Sequence, residues 1–129
     1  IPRGSRISLA DWRSAIARGF EFFRKVRTVG AQPVACACKS WMFDPRLQEL
    51  LPADSGLVRL QRCVSVFPLC SSNARCGLYF IFGDDNVDLE RAPRDTSLRR
   101  AVIDFLKAGG ALAGGGMLAF EDQLGRFGE

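Results

Sequence analysis

The 129-residue chain has no histidine, only one tyrosine (Tyr79), and no pair of cysteines spaced C-x-x-C. Each absence closes a route. Without histidine, a Cys–His or Ser–His hydrolase is excluded, because the base that activates such a nucleophile is missing. Without histidine or C-x-x-C spacing, a zinc site is disfavoured, and no metal is expected. No apolar run approaches the roughly 18–20 residues that cross a bilayer, so no membrane span is expected. There is no secretion signal, so the odd set Cys36, Cys38, Cys63, Cys70 and Cys76 reads as reduced thiols of a cytoplasmic protein. Cys70 and Cys76 flank S-S-N-A-R and could close a small loop under oxidation. The chain starts at Ile1 rather than Met, which reads as a fragment or processed product with sequence upstream. Ile1-Pro2-Arg3-Gly4-Ser5 is also similar to a protease-tag scar.

A hydrophobic share of 47% with 25% charged residues is that of one ordinary globular domain, expected over 1–120, with 121–129 as a tail. The net charge of +4 is uneven. Arg3, Arg6, Arg13, Arg18, Arg24, Lys25 and Arg27 face only Asp11 and Glu21, a distribution that attracts phosphate, cofactor or nucleic acid, or simply solvates one helix face. Arginines spread along one helix without exposed aromatics argue against nucleic acid.

The organising stretch is 33–46, P-V-A-C-A-C-K-S-W-M-F-D-P-R. Its apolar first half predicts a strand over 33–39 buried on both faces, hence central in the sheet and paired in parallel with a short strand at Ile1-Pro2. Before it, Ser8 and Asp11 form an S-x-x-D cap for a helix over 8–28, with Gly30 as the left-handed end. Leu9, Trp12, Ile16, Phe20 and Phe23 make its apolar stripe, which reads as core rather than as a cofactor wall. Asp44 and Pro45 start a short helix over 45–51. Alternation over 57–67 and the aromatic run 78–83 predict an antiparallel hairpin. A helix from Thr96 ends at Gly109-Gly110, Gly114-Gly115-Gly116 is a link rather than a phosphate cradle, and 117–120 is the last strand. Asp84, Asp85, Asp88 and Glu90 lack the order of a calcium loop and read as a solvated turn.

Two places carry candidate chemistry. Arg3, Gly4, Ser5 and Arg6 precede a helix N-terminus, where backbone N–H groups, the helix dipole and arginine forks receive phosphate, although neither common glycine-rich phosphate motif is present. Ser40 and Trp41 stand beyond the carboxyl end of the 33–39 strand, where open α/β sheets place their ligands. Ser40 is the candidate hydrogen-bonding residue and Trp41 the candidate substrate wall. The competing reading is that Ser40 begins a turn and Trp41 plugs the sheet edge.

The ordered set I-P-R-G (1–4), F-E-F-F-R-K (20–25), C-K-S-W-M-F-D-P-R-L (38–47), L-P-A-D-S (51–55), V-R-L-Q-R (58–62), Y-F-I-F-G (79–83) and P-R-D-T-S-L-R-R-A (93–101) resembles the GNAT-like C-terminal domain of a bacterial acyltransferase family. The resemblance implies an α/β (α+β) fold, a GNAT-like mixed sheet with a parallel central pair and an antiparallel hairpin, covered by helices. It implies acyl-CoA, acetyl or longer, as co-substrate, with the pyrophosphate at Arg3, Gly4, Ser5 and Arg6 and the pantetheine arm near Cys36 and Cys38. It implies direct transfer to an amine without a covalent intermediate, and Ser40, or the backbone beside it, is the candidate donor to the thioester carbonyl. The implied partner is the N-terminal acyltransferase domain of the parent protein. The alternative is a non-catalytic module that keeps the fold for interaction or regulation.

Overall fold

Ser8 opens the first described helix with a reciprocal cap. In the computed structural model, which describes residues 8–26, 32–69 and 74–128, its Oγ accepts from the Asp11 N–H at 3.1 Å. The Asp11 carboxylate accepts from the Ser8 N–H at 2.9 Å. These bonds satisfy donors that a helix start leaves open, and α1 runs over Leu9–Lys25. The helix thus ends at Lys25, short of the expected Thr28, and the expected cap at Gly30 and the strand expected at Ile1-Pro2 lie outside the described residues.

The fold is mixed α/β. The sheet has strands β1 (Ala35–Ser40), β2 (Ser65–Leu69) and β3 (Gly114–Phe120) in the order β1-β3-β2, and both pairings are antiparallel. Among the described residues the centre is therefore β3, not β1 as the sequence predicts. The physical reason is burial. Along β1, Ala37 and Lys39 are exposed, so only one face is covered, whereas Gly115, Gly116, Met117 and Ala119 of β3 are buried.

The glycines read as a link are the entry half of β3. A Cβ on Gly115 would lie 1.7 Å from the Phe43 carbonyl oxygen, and one on Gly116 would lie 2.4 Å from the Phe67 ring. Glycine is required there because another backbone and a ring cross the strand at contact distance.

The expected hairpin is not formed. Residues 56–63 are α3 (Gly56–Cys63), capped by the Ser55 Oγ accepting from the Val58 N–H at 3.3 Å, and 74–82 are α4 (Ala74–Phe82). Leu57, Leu60, Gln61 and Val64 recur at helical spacing as well as fitting an alternation. Over so short a window tertiary packing decides. In α4, Leu78, Ile81 and Phe82 turn inward while Tyr79 and Phe80 are exposed, so an aromatic run of high strand propensity is held as a helix by its packing.

Between the strands lie a 3₁₀ turn at Trp41–Phe43, the short α2 (Leu47–Leu50) and, later, α5 (Ser97–Lys107). As expected, a helix starts near Thr96 and ends at Gly109: the Thr96 Oγ1 caps α5 by accepting from the Arg99 N–H at 3.1 Å, and Gly109 closes it at φ 85°. Residues 121–128, read as a tail, form a 3₁₀ segment (Glu121–Gly128) that sends Gln123 and Phe127 into the core. One core joins Ile16, Phe20, Phe43, Leu60, Met117 and Phe127. A second joins Leu47, Leu51, Val58, Ile81, Val102 and Leu112, so α3 serves both.

Candidate functional site: the cleft between α1 and β1

One cavity of about 500 Å³ lies between α1 and β1. Its helical wall is Trp12, Ala15, Ile16, Gly19, Phe20 and Phe23, spaced as one face of α1. Its strand wall is Ala35 to Cys38, with Pro33 before it and Met117 of β3 beyond. Every described lining residue is uncharged. Such a space takes an apolar chain and rejects a bare charge, because an unpaired ion there loses its hydration.

The stripe on α1 that reads as core from sequence is thus divided. Ile16 and Phe20 are buried, while Phe23 is 61% exposed at the cavity's edge and neighbours the exposed Phe22 edge-on. Gly19 lies within this wall. A glycine inside a helix costs about 1 kcal/mol relative to alanine, and a Cβ built on Gly19 meets nothing within 4 Å. This wall was legible only as hydrophobic spacing. The overlooked signal is a helix-interior glycine without a packing partner.

Cys36 and Cys38 stand two apart on one face of β1 and both line the cavity. Burial, then the neighbouring Cys38, pushes the Cys36 thiol above its ordinary value. A thiol held protonated at neutral pH is a poor nucleophile.

Ser40 ends β1. Its Oγ accepts from the Met42 N–H at 3.4 Å and caps the 3₁₀ turn, a bond that uses a lone pair and not the hydroxyl proton. Trp41 packs in the second core, its Cβ 3.2 Å from where a Cβ on Gly77 would lie. Neither residue is among the described residues lining the cavity. Arg3, Gly4, Ser5 and Arg6 lie outside the described residues, as does Cys70. The structure therefore brings Cys36 and Cys38 together with α1, and sets Ser40 and Trp41 at the opposite end of β1.

At that end Asp44, expected as a simple helix cap, is a buried clasp with 2% exposure. Its carboxylate accepts from Arg46 Nε at 3.0 Å, Arg46 Nη2 at 2.7 Å, the Arg46 N–H at 3.1 Å and the Ala113 N–H at 2.9 Å. Burial alone would raise its pKa, but these hydrogen bonds and the Arg46 charge outweigh it and hold the carboxyl below its ordinary value. Gln61 Nε2 donates to the Met42 and Asp44 carbonyls at 2.7 and 3.1 Å, closing the same corner.

A mixed α/β domain with an apolar cleft between a helix and a strand of its sheet is the class these features define. Within it, residues 1–118 match the GNAT-like C-terminal domain family, and the chain belongs to that family. No curated protein matches the chain. Among solved structures it is similar to an acyltransferase in complex with CoA and 10C-teicoplanin, at 26% identity and TM-score 0.76. It is likewise similar to an acyltransferase in complex with decanoyl-CoA and teicoplanin, also at 26% and 0.76. An acyltransferase in complex with decanoyl-CoA, at 24% and 0.74, shares the fold. Each match covers 92% of this chain but only 37–38% of the other, so the chain spans well under half the length of those proteins. No described helix is long and apolar enough to cross a membrane.

Proposed function

We propose that this chain is the donor-binding unit of an acyl-CoA-dependent acyltransferase. The observation that carries the reading is the uncharged cleft between α1 and β1, in a family whose similar solved structures hold CoA and decanoyl-CoA. The acyl and pantetheine chain would run along Cys36 and Cys38, each buried methylene contributing about 0.8 kcal/mol. Asp11 already fills the cap of α1 with a carboxylate, so the cations for the diphosphate would come from Arg3 and Arg6.

Transfer goes directly from the thioester to an amine. The raised Cys36 pKa supports this, since an acyl-cysteine intermediate needs a thiolate. The work left to the protein is positioning and polarisation of the carbonyl. Ser40 continues the strand face of Cys36 and Cys38, with its hydroxyl proton available to donate, and is assigned that role. Trp41 beside it is assigned to the acceptor. The rest of the site is contributed by an N-terminal acyltransferase unit of a longer parent protein.

Isothermal titration of the full-length protein with acetyl-CoA and longer acyl-CoAs tests the reading. Micromolar binding that weakens at least tenfold in Arg3→Ala/Arg6→Ala is expected, since each charge-assisted contact contributes about 1.5–3 kcal/mol. Absence of any binding would instead make the domain a non-catalytic module. Ser40→Ala should lower kcat with little change in donor affinity.

A further inference from the structure

We infer that Gly19, a side-chain-free position in the wall of the α1–β1 cavity, sets the length of acyl chain the protein accepts. The inference rests on the reading of that cavity as the acyl-CoA site and deepens it.

Glycine inside a helix weakens it, so a reason is owed. Among the other described glycines, Gly56 and Gly114 stand at the first position of their elements, and Gly125 and Gly128 lie in the closing 3₁₀ segment, so none of these four is inside an α-helix. Gly83 and Gly109 adopt positive φ, and Gly115 and Gly116 are crossed by backbone and ring. Gly77, inside α4, lies against Trp41 and Leu112. Gly19 has none of these reasons. It lies in mid-helix without positive φ, and a Cβ there would point into open space. That space is the cavity, with Ile16 and Phe20 to either side and Cys36 and Cys38 on the other wall.

What the missing side chain leaves free is therefore room for a guest. The wall around it is apolar, so the guest at this point is the hydrocarbon part of the donor and not its charged head. A residue that only limits depth discriminates by length. It leaves a two-carbon acyl group alone and excludes the far carbons of a long one.

The test is titration of the full-length protein with acetyl-, hexanoyl- and decanoyl-CoA, comparing the native chain with Gly19→Ala and Gly19→Leu. The native protein should bind decanoyl-CoA more tightly than acetyl-CoA. Gly19→Leu should weaken decanoyl-CoA at least tenfold while changing acetyl-CoA by less than about twofold, because only methylenes beyond the block lose their burial. Gly19→Ala should raise the melting temperature by about 4 °C and shift the length profile in the same direction, less strongly. If Gly19→Leu does not fold, Gly19→Ala alone decides.

An unchanged length profile in a folded variant overturns the inference while acyl-CoA binding itself stands. So does a melting temperature lowered by Gly19→Ala, since glycine would then serve the fold. Equal native affinity for all three donors overturns it too, because the chain would not reach the cavity. No binding of any donor overturns the donor-binding reading, and this inference with it.

Discussion

The two ends of β1 are built on opposite plans. At the Ser40 end the polypeptide is closed on itself. Gly115 lets the Phe43 carbonyl pass at contact distance, Asp44 receives four hydrogen bonds, and Gln61 ties two carbonyls of the exit turn. At the Ala35–Cys38 end the facing helix presents Ala15 and Gly19, the thiols are half-buried, and about 500 Å³ is left open. The same strand thus spends one end on stability and keeps the other for a guest. Substitutions of the groups that lock the closed end should register in unfolding and those at the open end in binding, while Ser40, whose hydroxyl proton the lock does not use, should register in turnover.

The sharpest break should come from Gly115→Ala. A methyl group there meets backbone and not a movable side chain, so a loss of at least about 3 kcal/mol, or failure to fold, is expected in urea denaturation. A tolerated alanine would mean that the closed end is looser than described.

Asp44→Asn should follow, with a loss of about 2–3 kcal/mol as charge-assisted bonds to Arg46 and Ala113 are weakened. Its signature is pH. The folded-state pKa lies below the unfolded value of about 3.9, so the contribution is complete above that value and disappears as pH falls through the lower folded value. Acid unfolding curves of Asp44→Asn should lack that limb.

At the open end, Ala15→Leu should alter stability by less than about 1 kcal/mol, because Ala15 is exposed, yet weaken decanoyl-CoA about tenfold. Smallest of all should be the double change Cys36→Ser/Cys38→Ser, with turnover altered less than about threefold. A loss of about a thousandfold or more would reveal a covalent acyl-cysteine step.

The comparison also explains what could be read in advance. The helix caps were legible because they are local chemistry: Ser8 with Asp11, and Thr96 with the Arg99 N–H, need only three residues of separation. A strand over most of 33–39 was legible from the short apolar run, although only one of its faces is covered. The hairpin was misread because Leu57, Leu60 and Gln61 satisfy both periods, and because Tyr79 and Phe80 favour strands in isolation yet lie on the open side of a helix. The central role of β3 was hidden for a different reason. Gly114-Gly115-Gly116 has the composition of a link, and its purpose depends on Phe43 and Phe67, some fifty to seventy residues away in sequence. Likewise, Asp44 looks like a helix cap until Ala113 arrives to share it.

Cysteine footprinting tests the central claim most directly. At alkaline pH, where the raised Cys36 thiol also ionises, Cys36 and Cys38 should be alkylated by iodoacetamide in the free full-length protein, with Cys63, 4% exposed, reacting far more slowly. Saturating decanoyl-CoA should slow labelling of the Cys36–Cys38 peptide at least tenfold and leave the other peptides unchanged. If calorimetry shows the donor bound while those two thiols label at their original rate, the donor lies elsewhere and the assignment of the α1–β1 cleft is contradicted.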